Sequence, residues 1–254
     1  MIQTLLTPDN RRIAFAQTPG SGPGVVFLGG FKSDMTGTKA VWLENWAKAR
    51  GQAFLRFDYS GHGASGGDFL DGCIGDWFDD TMAVIGARTQ GPQILVGSSM
   101  GGWIALLVAR AVPHRVAGLV AIAAAPDFTE DSLWAGFTPH QRAELMEAGR
   151  VALPSEYGDG PYIITRRLIV KGRESLVLRS PLSLPFPTRL LQGTKDADVP
   201  LSVALRLIEH AQAPDLRLTL VKDADHRFST PGCLALIGQT LEDLLPGAAN
   251  ASIW

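Results

Sequence analysis

Between the apolar run QILV and the apolar segment GWIALLVARA lies Gly97-Ser98-Ser99-Met100-Gly101, a GxSxG pattern that few chain geometries accommodate. Glycine at both ends lets a strand turn sharply into a helix, because a Cβ at either position would collide with the neighbouring backbone. Such a turn lifts the Ser99 hydroxyl clear of the sheet. It also sets the hydroxyl at a helix N-terminus, where free N–H groups and the helix dipole favour a developing negative charge. Ser99 is therefore the expected nucleophile. Ser98 would replace it only if the register moved by one residue, which breaks the glycine spacing.

A strand that feeds such a turn needs neighbours, and the sequence supplies them. Short β-branched or apolar runs recur at 24–28, 53–57, 93–96, 116–123, 188–192 and 217–221, with a leading hairpin expected from 2–6 and 12–16. Mixed apolar and polar periodicity predicts helices over 39–50, 74–88, 100–111, 202–210 and 233–245. This alternation implies an α/β fold, a mostly parallel twisted sheet flanked by helices. At 254 residues and 46% hydrophobic, the chain suits a single domain, 1–254, with a large core. Residues 127–187 exceed a simple crossover; SLWAGFTPHQRAELMEAG and GPYIITRRLIVKGRE within them read as helices. They are expected to form a helical lid inserted over the strand ends, where ligands bind in such sheets.

A serine hydroxyl is a poor nucleophile without a base, and in this arrangement an acid and then a histidine follow the serine along the chain. Of the five histidines, His62 precedes Ser99, His114 lies between a helix and a strand, His140 falls in the lid and His210 near a helix end. Only His226, in LVKDADHRF, occupies a loop just past the final strand, and it is the expected general base. The acid belongs at the end of the preceding strand, where RLLQGTKDADVP offers Asp196 and Asp198. Asp196 holds the acid position of a GxxDxxVP pattern and is preferred. Oxyanion donors are expected from the backbone N–H groups of Met100 and Phe31, with Gly30 and Lys32 flanking the latter.

Other features carry weaker expectations. The loop Asp58–Ser65 reads as a pocket wall or as glycine-driven turn structure. Arg166 and Arg167 could receive an anionic substrate group or form a solvated helix face. Leu133, Trp134 and Phe137 could line an acyl pocket or pack the lid against the domain. A formal charge of −2 without long like-charge runs argues against nucleic acid as partner, and no apolar stretch is long enough for stable membrane insertion. The N-terminus lacks the pattern of a secretory signal, and Cys73 and Cys233 fit no metal or CxxC spacing. A cytoplasmic protein with unpaired thiols and no bound metal is expected.

With these residues in place, the chain resembles the α/β-hydrolase superfamily over nearly its full length. FLGGFKSDMTGTKA, AFLRFDYSGHGASGG, GPQILVGSSMGGW, RLLQGTKDADVP and KDADHRF further resemble the abhydrolase-domain group of mycophenolic acid acyl-glucuronide esterases and palmitoyl-protein thioesterases. That resemblance implies hydrolysis of a small-molecule ester or an S-acylated substrate through Ser99, Asp196 and His226, without a cofactor. Alternatives are a short-chain carboxylesterase, a carbon–carbon bond hydrolase, or a ligand receptor on the same fold that does not turn over.

Overall fold

The computed structural model describes residues 1–154 and 161–245. The chain forms β1 (Gln3–Leu6), β2 (Arg12–Thr18), β3 (Ser21–Leu28), α1 (Thr38–Arg50), β4 (Gln52–Phe57) and α2 (Ile74–Arg88). Next come β5 (Gln93–Ser98), α3 (Met100–Ala111) and β6 (Val116–Ile122). An inserted segment holds a π-helical turn at Thr129–Trp134, α4 (Pro139–Ala148), β7 (Arg150–Leu153), β8 (Tyr162–Thr165) and α5 (Arg166–Gly172). The described chain then runs through β9 (Leu182–Ser183), β10 (Thr188–Gly193), α6 (Leu201–His210), β11 (Ala211–Gln212), β12 (Leu216–Val221) and α7 (Pro231–Leu244).

The main sheet is ordered β1-β2-β4-β3-β5-β6-β10-β12. Only the β1–β2 and β2–β4 pairings are antiparallel; the others run parallel. Strand alternation explains the layers. Val26, Leu28 and Leu95 point into a core shared with Trp77 of α2 and Trp103 of α3, whereas Val25, Phe27, Ile94 and Val96 meet Leu43 of α1 and Ile237 of α7. With both faces covered, the central strands have no need of polar positions, and every residue of β5 is buried. This is the α/β-hydrolase fold, with the parallel strands delivering their C-terminal ends to one edge.

The inserted segment differs from an all-helical lid. Tyr162–Thr165, expected to be helical, pairs antiparallel with Arg150–Leu153 in a separate small hairpin. The cause is local: Tyr, two Ile and Thr in succession favour an extended backbone, and Thr165 stops the strand by accepting a 3.1 Å bond from the Leu168 N–H at the start of α5. Gly160, which begins that expected helix, lies outside the described residues, as do 246–254 of the expected domain.

Side-chain contacts fasten the insertion, among them those of Asp127, Trp103 and Arg167. Asp127, fully buried in the left-handed region at φ +58°, accepts the Val177 and Leu178 N–H groups at 2.8 and 3.0 Å and a guanidinium N–H of Arg179 at 3.2 Å. The Trp103 indole N–H donates to the Ser175 carbonyl at 3.0 Å. Arg167 donates to both Asp76 oxygens, at 2.9 and 2.7 Å, from across α2. Cys73 and Cys233 are free and buried, and among the described residues no helix is long and apolar enough to cross a membrane.

Candidate active site

The turn from β5 into α3 is sterically determined. A Cβ on Gly97 would lie 2.3 Å from the Gly101 carbonyl oxygen, and one on Gly101 would lie 2.1 Å from the Leu28 carbonyl oxygen. Between them Ser99 adopts φ +55°, a conformation that costs about 1–3 kcal/mol for a residue with a side chain. The neighbouring strand and loop hold it there: the Ser99 N–H donates to the Ile122 carbonyl at 2.9 Å, and the Ala125 N–H donates to the Ser99 carbonyl at 3.1 Å. Ser98 ends β5, buried; it is Ser99 that carries the helix cap position.

The Ser99 Oγ lies 3.1 Å from His226 Nε2, and His226 Nδ1 lies 2.9 Å from Asp196 Oδ2. A carboxylate can only accept, so Nδ1 carries the proton and Nε2 presents a lone pair to the hydroxyl. Asp196 is fixed on its remaining sides. Its Oδ1 accepts the Asp198 and Val199 N–H groups at 3.0 and 2.8 Å, and its Oδ2 accepts the Gln192 amide at 3.0 Å. Burial alone would raise the Asp196 carboxyl; the hydrogen bonds from His226, Val199 and Gln192 outweigh it and hold the group below the usual carboxylate range. Asp198 is exposed at the cavity, and its backbone N–H is one of the donors to Asp196.

Among the described residues, Asp196, Asp198 and His226 are the group whose potential ligand atoms fall within 4.8 Å of one another. Both Asp196 oxygens and the His226 Nδ1 are already engaged in the bonds just given, so the donor set suits a proton relay better than a cation.

Phe31 and Met100 line the same cavity as Ser99 and His226. Met100 opens α3, so its N–H is one of the helix-terminal donors without an intrahelical acceptor. The Gly29-Gly30-Phe31 loop presses against Ser99 closely enough that a Cβ on Gly30 would sit 3.4 Å from the Ser99 Cβ. Lys32, at φ +56°, completes the turn that follows. The loop has support that sequence reasoning did not identify. The buried Tyr59 hydroxyl donates to the Gly29 carbonyl at 3.2 Å, and the Phe31 ring meets Phe69 at 4.9 Å, Phe128 at 5.6 Å and Trp77 at 6.1 Å.

The 58–65 loop is turn structure beside the cavity rather than its wall: Asp58 accepts the Met35 and Ala64 N–H groups, and His62 is caged by Tyr59, Phe69 and Trp77. His210 donates its Nε2–H to the Ser180 carbonyl, and His140 is exposed on α4; neither lines the cavity, nor does His114. Arg166 donates to the Met146 carbonyl and Arg167 braces α2, and neither lines the cavity. Leu133 lines the cavity, whereas Phe137 is buried in the core and Trp134 packs beneath the guanidinium groups of Arg142 and Arg173.

The cavity has a volume of about 940 Å³, at the upper end of the ~300–1,000 Å³ usual for small-molecule sites. Phe128, Leu133, Leu153, Tyr162 and Ile164 of the insertion contribute apolar wall, with Val199 and Val203 from the segment around α6. Polar groups beside the histidine include Lys39 and Arg227. Among the apolar wall residues, Phe128 lies six residues past the end of β6, at the start of the insertion, a position from which its place beside the strand ends could have been read.

A family model described as serine aminopeptidase, S33 matches residues 24–167. The chain is 36% identical over 242 residues to the rat protein named palmitoyl-protein thioesterase ABHD10, mitochondrial, covering 95% of this chain and 81% of the relative. Among solved structures, a putative hydrolase from Agrobacterium vitis S4 superposes with a TM-score of 0.91 at 41% identity, over 96% of this chain and 99% of the other. The mouse α/β-hydrolase domain-containing protein 10 gives 0.89 at 34% identity, over 96% and 98%.

Proposed function

Since the chain belongs to the S33 family of α/β-hydrolases and is a serine hydrolase akin to the ABHD10 proteins, we propose that it cleaves long-chain S-acyl thioesters and related acyl esters. The observation that carries this reading is the Ser99–His226–Asp196 hydrogen-bond chain opening into a large cavity with an apolar wall. His226 Nε2 takes the Ser99 proton as Oγ bonds to the acyl carbon. The N–H groups of Met100 and Phe31 receive the oxyanion. As the carbon–sulfur bond breaks, His226 returns the proton to the leaving thiol; water then attacks the acyl-enzyme by the same route, releasing the carboxylic acid and free Ser99. The imidazolium formed in each half is stabilised by the ionised Asp196. No step requires a cofactor.

The inserted segment acts as the lid, and its apolar residues receive the acyl chain. We place the reaction in a reducing compartment, on the strength of the two free thiols; the cytoplasm is our assignment, although the relative's name specifies mitochondria. The test is hydrolysis rate against acyl length, on chromogenic esters and an S-palmitoyl peptide, with Ser99→Ala as control. The proposal expects kcat/KM to hold or rise to the palmitoyl thioester, and Ser99→Ala to lose at least ~10³-fold. A sharp fall beyond short chains would make the protein a small-ester carboxylesterase, and binding without turnover a receptor.

A further inference from the structure

The first turn of α1 contains no acidic residue and carries Lys39, whose half-buried ammonium lines the active-site cavity and donates to the main-chain carbonyl of Arg227. Two effects make this an expensive place for a cation. The N-terminal turn of a helix carries partial positive charge and favours anions. Burial also disfavours the ammonium, lowering the Lys39 pKa from its ordinary value to about 8. The surroundings compensate only in part: the groups that face Lys39 are Asp225 and Arg227 on the loop bearing His226, and Cys233 at the start of α7. A charge kept where neither the helix nor the solvation favours it points to function rather than folding.

Its partner carbonyl belongs to the residue directly after His226. The rest of that loop is held from below: the Asp225 carboxylate accepts the Phe228 N–H at 3.1 Å, and Phe228, at φ +49°, is fully buried in the core containing Ala40 and Leu43 of α1. Phe228 thus fixes the loop's exit. The Lys39 bond ties the peptide at position 227 to α1, the helix that follows the loop carrying Phe31.

We propose that Lys39 is a positioning residue for the reaction: its ammonium, bonded to the Arg227 carbonyl, holds the histidine loop so that His226 stays aligned between Ser99 and Asp196. The proposal rests on His226 being the general base. Charge-assisted bonds are roughly twice as strong as neutral ones, so loss of the Lys39 proton loosens the loop without removing any reacting group. The rate falls on the alkaline side as the ammonium titrates. The stability effect has the opposite sign. Between pH 8 and the unfolded-state value the unfolded chain binds more protons, so folding stability rises with pH there while activity declines.

The experiment measures kcat and KM on p-nitrophenyl butyrate from pH 6 to 10, with Tm, for the full chain and for Lys39→Met, Lys39→Arg and Ser99→Ala. The expected result is a wild-type alkaline limb near 8, a ~10-fold lower kcat in Lys39→Met with KM within ~2-fold, and an unchanged or higher Tm at pH 7. Lys39→Arg should recover most of kcat and lack the alkaline limb, because a guanidinium stays charged throughout. The proposal is overturned if Lys39→Met keeps its kcat, if its loss of rate follows a fall in Tm, or if Lys39→Arg retains the limb. Undiminished activity in Ser99→Ala would instead sink the serine mechanism on which the proposal rests.

Discussion

Asp196 and Asp198 are two residues apart with the same side chain, and it is Asp196 that bonds His226 Nδ1. The backbone decides between them. As the chain leaves β10 it wraps around the Asp196 carboxylate, donating the Asp198 and Val199 N–H groups to one oxygen and leaving the other for the imidazole. In Asp196→Asn the amide keeps one acceptor but turns an NH₂ toward Nδ1, favouring the wrong histidine tautomer; kcat should fall ~10³–10⁴-fold, against less than ~10-fold for Asp198→Asn. Steady-state kinetics on the two variants, with Tm as control, checks this. Because the Asp196 pKa is depressed, its contribution to stability is full above the unfolded carboxylate value and is lost as the pH falls through the folded one. Ser99, His226 and Asp196 were legible because each follows a strand end, a position that a linear pattern records. Lys39 was not, since its meaning comes from a carbonyl 188 residues away.

The elements of the sheet and its covering helices were legible for a related reason: buried parallel strands read as unbroken apolar runs, and the helices between them as mixed periodicity. The insertion was harder. Tyr162–Thr165 and the following RRLIVKG form one apolar-rich stretch, and where the strand ends depends on the Thr165 side chain and the pairing with Arg150–Leu153. The buried Asp127 joins the start of this segment to its return. Asp127→Ala would strand the Val177 and Leu178 N–H groups without an acceptor, while relieving the desolvation that pushes the Asp127 carboxyl up. The net cost should be about 2 kcal/mol, a drop in Tm of roughly 4–8 °C by thermal denaturation. An unchanged Tm would mean that the insertion is held elsewhere.

At the scale of the molecule, the sheet carries Ser99, Asp196 and His226 to one edge, and residues of the insertion line the cavity there. The cavity was legible only in its place at the strand ends and in Leu133; the rest of its wall joins residues from the insertion, from the segment around α6 and from the loop after β3, which only the folded chain brings together. The central claim is that acyl groups pass through a covalent bond to Ser99. The most direct measurement is intact-mass and peptide-mass analysis of enzyme quenched within its first turnovers on an S-palmitoyl peptide. The account predicts a palmitoyl ester on the peptide containing Ser99, appearing as thiol is released and disappearing as substrate is exhausted, and none on Ser99→Ala. Thiol release without that adduct, at an equal rate in Ser99→Ala, would contradict it.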